Sequence, residues 1–323
     1  MAEVTVTGAA GFVGTRLCEQ LARAGYAVTA AVRGAGTELR NWAEVVTLGD
    51  FNENTQWTAA LHTSGIIIHL AARAHQGEAT DTNTRNEFQR TNVDGTRSLL
   101  RAAIRAGVQR IVFVSSCKVV GERSPLDEHG VPRILTVNTQ PKPEGPYGES
   151  KLAAEKLLEE GCNEAGISLI ILRPPLVYGP GVRGNLATLL GAIMRGVPLP
   201  FGSIKNQRSL IHRDHLIDAI MLALTIKLTG THIFTLGDCI LSTPDLVRSM
   251  ATGLGRQARL VPCPISVLRT LGVLTRSSAA ISRLTESLVV DSDAITCELG
   301  WHPRIPLESA WAEIGERYRQ DHP

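Results

Sequence analysis

Aromatic side chains are scarce in this chain of 323 residues, at 4%, and no apolar run is long enough to cross a bilayer. A spanning helix needs about 20 predominantly apolar residues. The most apolar late stretch, 265–281, is broken by Arg269, Arg276 and several Ser and Thr residues. It reads as one or two packed helices, with a peripheral membrane contact as the alternative. Neither sign of charge dominates, since 33 Lys and Arg against 31 Asp and Glu leave a formal charge of +2. The basic residues are scattered, without the runs or aromatic interleaving of a phosphate-backbone footprint, so no nucleic-acid partner is expected. Cys18, Cys117, Cys162, Cys239, Cys263 and Cys297 form no CxxC pair. The residues after Met1 already read as strand and turn, which leaves no room for a leader. A reduced cytoplasm is the expected location. Internal repeats and low-complexity segments are missing too.

What is present is globular composition, 43% hydrophobic and 20% charged, on enough chain for a large core. Short β-branched runs at 4–7, 27–32, 66–70 and 110–114 alternate with helical patterns at 14–24 and 90–106. A helix over 148–165, a buried strand over 168–172 and helices over 186–195 and 214–224 follow. Such alternation predicts βαβ units and a doubly wound parallel sheet, an α/β fold of Rossmann type. Beyond Leu172 the prolines at 174, 175, 180, 198 and 200 break the pattern. The expected division is a dinucleotide-binding part over 1–172 and a smaller, mainly substrate-binding α/β lobe over 173–323, with some segments returning to the first part.

The run Val4-Thr-Val-Thr-Gly8-Ala-Ala-Gly11-Phe12-Val13-Gly14 leads from a strand straight into a helix. Its three glycines let the backbone turn tightly and approach a pyrophosphate, which then faces the free N–H groups of the helix terminus. A mere tight turn is the alternative, but the placement at the first strand-to-helix turn of a βαβ series predicts a dinucleotide. Further along, the strand 110–114 ends in Ser115-Ser116-Cys117-Lys118, and Tyr147-Gly-Glu-Ser-Lys151 opens a helix. Residues four apart share a helix face. Lys151 beside Tyr147, with an oxidised nicotinamide, would favour the phenolate and bring a phenol pKa down from about 10. Tyr147 would then serve as proton donor or acceptor.

The Gly-x-x-Gly-x-x-Gly spacing, the serine-bearing strand and Tyr-x-x-x-Lys, in this order, resemble the short-chain dehydrogenase/reductase family, and the likeness covers essentially the whole chain. The resemblance implies NAD or NADP. An acidic side chain about 20 residues past the loop holds the ribose 2′-hydroxyl of NAD. Here Val32 stands where NAD-selective members usually carry that acid, and Arg33 suits a 2′-phosphate by charge and fork geometry. NADP(H) is favoured, with NAD(H) held by other contacts as the alternative. By the same resemblance Asp50 meets the adenine, Leu70-Ala71-Ala72 forms the small-residue turn beside the dinucleotide, and Asn92 supports the active site. Aligning the serine run by Val119-Val120-Gly121 makes Ser116, not Ser115, the residue that holds the reacting oxygen.

Leu172-Arg-Pro174-Pro175-Leu-Val-Tyr178-Gly-Pro180-Gly resembles the extended members of the family, which act on nucleotide sugars. In them this loop carries the nicotinamide end, which assigns Pro174 to the cofactor. Asn185 then approaches the sugar diphosphate, Pro200 and Phe201 line the nucleobase pocket, and Arg208 binds the diphosphate, with Arg283 as a second ligand. Two phosphates call for such cations. His212 and His215 lack the accompanying cluster of a metal site, so no metal is expected. The nearest subfamilies are the UDP-glucose 4-epimerase type and bacterial reductases of UDP-4-keto-6-deoxy-N-acetylglucosamine that feed surface-polysaccharide synthesis. Lys118 and Val120, where epimerases carry a small residue and a tyrosine, point with Arg33 to the reductases. Lys118 would orient the substrate or support the loop. The expected activity is reduction of a UDP-linked 4-keto sugar; the alternatives are a 4-epimerase retaining NAD and a dinucleotide sensor without chemistry. The resemblance also implies a homodimer joined through 90–106 and the Tyr147 helix.

Overall fold

The computed structural model describes residues 2–74, 82–275 and 278–322. Seven strands form one parallel sheet: β1 (Glu3–Thr7), β2 (Ala27–Val32), β3 (Glu44–Thr47), β4 (Ile66–His69), β5 (Arg110–Val114), β6 (Ser168–Arg173) and, after two strands of a second sheet, β9 (Thr231–Thr235). Their order is β3-β2-β1-β4-β5-β6-β9. The sheet is apolar on both faces, as a parallel sheet covered by helices must be. Alternation along each strand divides its residues between two cores. Val4, Val6, Ile68, Val112, Ile170 and Leu172 face one layer, where α1 (Gly14–Arg23) sends in Leu17 and Leu21. Ile67, Ile111, Phe113, Leu169 and Ile171 face the other.

That second layer holds α2 (Thr58–Leu61), α3 (Thr82–Phe88), α4 (Gly95–Ala106) and α5 (Pro146–Ala165). The helix expected over 90–106 is α4 preceded by a π-helical stretch, Gln89–Asp94, continuous with α3. A π turn adds a residue to the turn and re-aims the side chains that follow, a device frequent at functional sites. Here it carries Asn92.

A three-stranded sheet, β10-β8-β7, is built from β7 (Leu176–Tyr178), β8 (Arg208–His212) and β10 (Cys239–Leu241). Around it lie α6 (Asn185–Met194), α8 (Thr243–Gly253) and α12 (Leu307–Asp321), which share a core centred on Tyr178 and Trp311. Between these, α7 (Arg213–Thr225) packs Leu216, Ile217 and Ile220 onto the large sheet, and β9 extends that sheet beyond β6. The sheet therefore does not stop at Leu172. The apolar stretch 265–281 forms two helices, α9 (Ile265–Leu274) and α10 (Ser278–Thr285), while Arg276 and Ser277 lie outside the described residues. Among the described residues, α11 (Asp293–Leu299) completes the helices, and no helix is long and apolar enough to cross a membrane.

Helices α8 and α12 cross at two glycines. A Cβ on Gly315 would lie 2.0 Å from the Gly253 carbonyl oxygen, and one on Gly253 2.1 Å from that of Trp311. Backbone cannot yield as a side-chain end can, so overpacking here costs about 1–3 kcal/mol. Gly315→Ala is therefore expected to lower the urea midpoint while leaving the slope of the transition unchanged; an unaltered midpoint would show that the crossing relaxes freely.

Candidate active site

The glycine loop lies at the carboxyl end of β1, where the strand order reverses between β1 and β4 and open α/β sheets bind their ligands. Gly8 has φ 68°, and a Cβ on it would approach the Ala71 nitrogen to 2.8 Å. A Cβ on Gly14 would lie 2.4 Å from the Gly8 oxygen. Glycine is thus needed at both for the loop to close. The Gly11 amide donates to the Gly8 carbonyl at 3.0 Å, and α1 begins after Val13 with no side-chain cap and no acid in its first turn. An uncapped helix terminus beside a glycine turn is an anion site, so the loop fits the pyrophosphate of a dinucleotide. The Arg213 guanidinium lies 5.3 Å from the centre of the Phe12 ring and donates to the Pro180 carbonyl at 2.8 Å, joining the loop to the β7 turn.

Arg33 follows β2 directly, and its Nε lies 3.9 Å from Asp50 Oδ1, so two residues assigned to the adenosine end meet. Leu70, Ala71 and Ala72 continue from β4; the Leu70 amide donates to the Thr7 carbonyl and the Ala71 amide to Thr7 Oγ1, at 3.2 Å each. From Thr7 a chain of buried polar groups runs inward: Thr7 Oγ1 to His69 Nδ1 at 2.7 Å, His69 Nε2 to Thr96 Oγ1 at 2.9 Å, and Thr96 Oγ1 to the Asn92 carbonyl at 2.6 Å. The Asn92 amide donates to Ser150 Oγ at 2.9 Å, and that hydroxyl donates to the Tyr147 carbonyl at 2.8 Å. Asn92 Oδ1 also accepts from the Arg73 amide at 2.8 Å. Of this chain the sequence reading named only Asn92 and Tyr147.

Strand β5 delivers Ser115 and Ser116. Ser115 Oγ is buried and without a hydrogen-bond partner among the described residues. Ser116 instead interacts with Tyr147: burial pushes the phenol up to about 12, Cys117 adds to this, and a hydrogen bond with Ser116 opposes it. Lys151, four residues along the same helix, is held by the end of β5. Lys151 Nζ donates to the Val114 carbonyl at 2.7 Å and sits 4.1 Å from the centre of the Phe113 ring. A buried ammonium needs such partners, and the end of β5 supplies them. Burial lowers the Lys151 pKa to about 7, with Glu155 acting against it. Glu155 in turn grips Arg173 through two bonds of 3.0 and 2.6 Å, with side chains only 3% and 4% exposed.

The turn after Ser116 leads to the substrate side. Lys118 Nζ pairs with Glu122 at 2.8 Å, and Cys117, its amide bonded to the Pro174 carbonyl at 2.9 Å, feels both Lys118 and Arg208. Arg208 donates to the Glu286 carbonyl at 3.1 Å; burial lowers its pKa, and nearby Arg283 acts in the same direction. Ser116, Tyr147, Lys118, Arg208 and Arg283 thus form one neighbourhood with a cationic side. Asn185 is exposed at the start of α6 and Pro200 is exposed, while Phe201 packs partly on the Tyr178 core. No hydrogen bond or ion pair among the described residues ties these three to that neighbourhood. His215 is structural, with Nδ1 on Asp238 at 2.6 Å and Nε2 accepting the amides of Arg304 and Ile305 at 3.0 and 2.9 Å.

Residues 4–237 match the NAD dependent epimerase/dehydratase family. The chain belongs to that family. It is 33% identical over 320 residues to a UDP-glucose 4-epimerase of Vibrio cholerae, covering 98% of this chain and 95% of that one. It is 31% identical over 245 residues to the N-acetyl-alpha-D-glucosaminyl-diphospho-ditrans,octacis-undecaprenol 4-epimerase of Escherichia coli O157:H7, over 75% of this chain and 68% of the other. Among solved structures, MoeE5 in complex with UDP-glucose and NAD superposes with a TM-score of 0.79 at 27% identity, over 99% of each chain. The chain is accordingly a dinucleotide-dependent nucleotide-sugar enzyme of the extended short-chain dehydrogenase/reductase type.

If the Tyr147 hydroxyl moves the proton, Tyr147→Phe lowers kcat by about 10²-fold or more and leaves dinucleotide affinity within a factor of two or so of the parent. Stopped-flow turnover and fluorescence titration read the two quantities, and retained turnover would remove the role. A second expectation concerns pH. Lys151 loses its proton as pH rises through about 7, so the kcat/KM of the free enzyme should decline above that value. Glu155 holds this pKa up, so Glu155→Gln should displace the decline to lower pH; superimposable profiles would contradict the assignment.

Proposed function

We propose that this protein is a reductase that uses NADPH to reduce a UDP-linked 4-keto-6-deoxy-N-acetylhexosamine at C4, in the making of a bacterial surface-polysaccharide precursor. The observation that carries the cofactor is the end of β2. Val32 is buried there in place of an acid, and Arg33 follows with 79% of its side chain exposed. Its exposed pair with Asp50 is long and worth little, so the guanidinium is available to a 2′-phosphate. Burial keeps the Tyr147 phenol of the chain alone in its acid form, the form that gives a proton to a reduced carbonyl.

When bound, the dinucleotide supplies hydride to the sugar carbon. The chain's own residues do the rest by positioning and electrostatics. The Gly8–Gly14 loop, with Phe12 and Val13, holds the pyrophosphate; Asp50, Leu70, Ala71, Ala72 and Pro174 line the dinucleotide, and Lys151 and Asn92 steady its reactive end. Ser116 holds the substrate oxygen and Tyr147 donates the proton to it. Arg208 and Arg283 meet the diphosphate, with Asn185 near it; Lys118 orients the substrate or supports the loop, and Pro200 and Phe201 line the nucleobase pocket. Residues 1–172 act as the dinucleotide part and 173–323 chiefly as the substrate part, in a cytoplasmic homodimer joined through 90–106 and α5.

A second reading is favoured by the likeness to the Vibrio cholerae protein across 98% of this chain: a UDP-sugar 4-epimerase that retains NAD. One assay separates the two. Incubation with UDP-4-keto-6-deoxy-N-acetylglucosamine and NADPH is expected to bleach the reduced-nicotinamide absorbance, with NADPH preferred to NADH at least ~10-fold and the preference lost in Arg33→Ala. Equal affinity for the two removes the NADPH assignment, and UDP-sugar epimerisation on added NAD without NADPH consumption establishes the second reading instead.

A further inference from the structure

Helix α9 has two apolar faces, and the fold uses one. Leu268 and Gly272 turn towards α10, where a Cβ on Gly272 would lie 2.9 Å from Ile281 Cγ1. Val267, Leu271 and Leu274, at i, i+4 and i+7, make a second stripe whose members are 46%, 49% and 74% exposed. Val273 and, just upstream, Val261 add exposed apolar surface to the same segment. Exposed apolar residues scattered singly need no account, but a stripe at helical spacing does.

The charge of the sequence segment that contains it narrows what could cover it. Between Asp245 and Glu286 the sequence contains no acid, and it holds arginines at 248, 256, 259, 269, 276 and 283. Arg256, Arg259 and Arg269 are exposed. An apolar stripe in an acid-free, arginine-bearing segment matches an anionic bilayer surface, where apolar side chains enter the acyl boundary and arginines meet headgroup phosphates. The helix is ten residues long, too short to span and sufficient to lie flat.

We propose that α9 seats this protein on anionic lipid through Val267, Leu271 and Leu274. The contact is independent of the direction of hydride transfer, yet it borders the candidate site. Leu199, beside Pro200 and Phe201, exchanges backbone hydrogen bonds with Arg259 and Val261 at 2.8 Å each. Helix α10, which α9 covers, carries Arg283. A protein so docked holds its candidate diphosphate site close to the headgroup plane.

The test is co-sedimentation of the full chain with vesicles of phosphatidylcholine alone and of an equal mixture of phosphatidylcholine and phosphatidylglycerol. Partition onto the mixed vesicles is expected to exceed that onto phosphatidylcholine at least ~10-fold at low salt and to fall as salt is added. Leu271→Ser with Leu274→Ser, or Leu274→Ser alone should the double variant fold poorly, is expected to reduce partition about 10-fold with dinucleotide binding intact. The proposal is overturned by absence of partition onto the mixed vesicles, by partition that the serine variants leave unchanged, or by a dimer in analytical ultracentrifugation that these variants dissociate.

Discussion

The close approach of Gly8 to the Ala71 backbone sets the rest of the site in place. It brings the end of β1 against the end of β4, and that leaves Thr7 and His69 facing each other inside the sheet. The hydrogen bonds that follow have one consistent direction. Thr96 has a single hydroxyl proton and gives it to the Asn92 carbonyl, so His69 must donate from Nε2 to the Thr96 oxygen. Nδ1 then accepts from Thr7, whose oxygen is free to accept the Ala71 amide. The ring is neutral in this arrangement, and burial accordingly lowers its pKa to about 3, with Lys151 acting in the same direction. Unsatisfied members of a buried network would be costly. The chain from the glycine loop to Asn92 is therefore a fixed spacer, and it determines how far Ser150 and Tyr147 stand from the dinucleotide loop.

The same economy explains the π-helical stretch. Asn92 must reach both the Arg73 backbone and Ser150 on α5 while its own carbonyl accepts Thr96. An uninterrupted α-helix from Thr82 to Ala106 would commit that carbonyl and aim the side chain along the regular helical course. The added residue of the π turn alters both, and α4 resumes in time to pack Leu99 and Ala103 in the core.

Much of this was legible in the sequence where backbone geometry demands particular residues. Gly8, Gly11 and Gly14 answer a steric requirement, and the apolar, β-branched runs from Val4 to Leu172 place five of the seven large-sheet strands, β1, β2, β4, β5 and β6. The other two are not legible in this way: β3 is a four-residue edge strand, and β9 pairs with β6 only after the chain has visited the second sheet, so no local period announces it. His69 reads as the polar end of an apolar strand, and its role depends on partners from three other segments. Glu155 occupies a helix position that composition alone would expose, yet Arg173 from β6 buries it. Tyr147 and Lys151 are readable as a pair on one helix face. The bond from Lys151 to the Val114 carbonyl is not, because that acceptor belongs to β5, 37 residues away.

That bond bears on the chemistry. Tyr147, Lys151 and Glu155 lie at i, i+4 and i+8 on α5, and two of the three would be charged in water. Glu155 and Arg173 pair through two bonds in a dry setting, where breaking such a pair costs about 3–5 kcal/mol, and the Glu155 carboxylate so fixed opposes the lowering of the Lys151 pKa that burial causes. Lys151 keeps a carbonyl and a ring face, enough to hold an ammonium near neutrality and no more. Its charge is therefore conditional on what else enters the site. Additional negative charge nearby raises the ammonium population, and the chain alone leaves Tyr147 firmly protonated. The fold presents a phenol acid and a responsive cation, and the occupant of the site sets the balance between them.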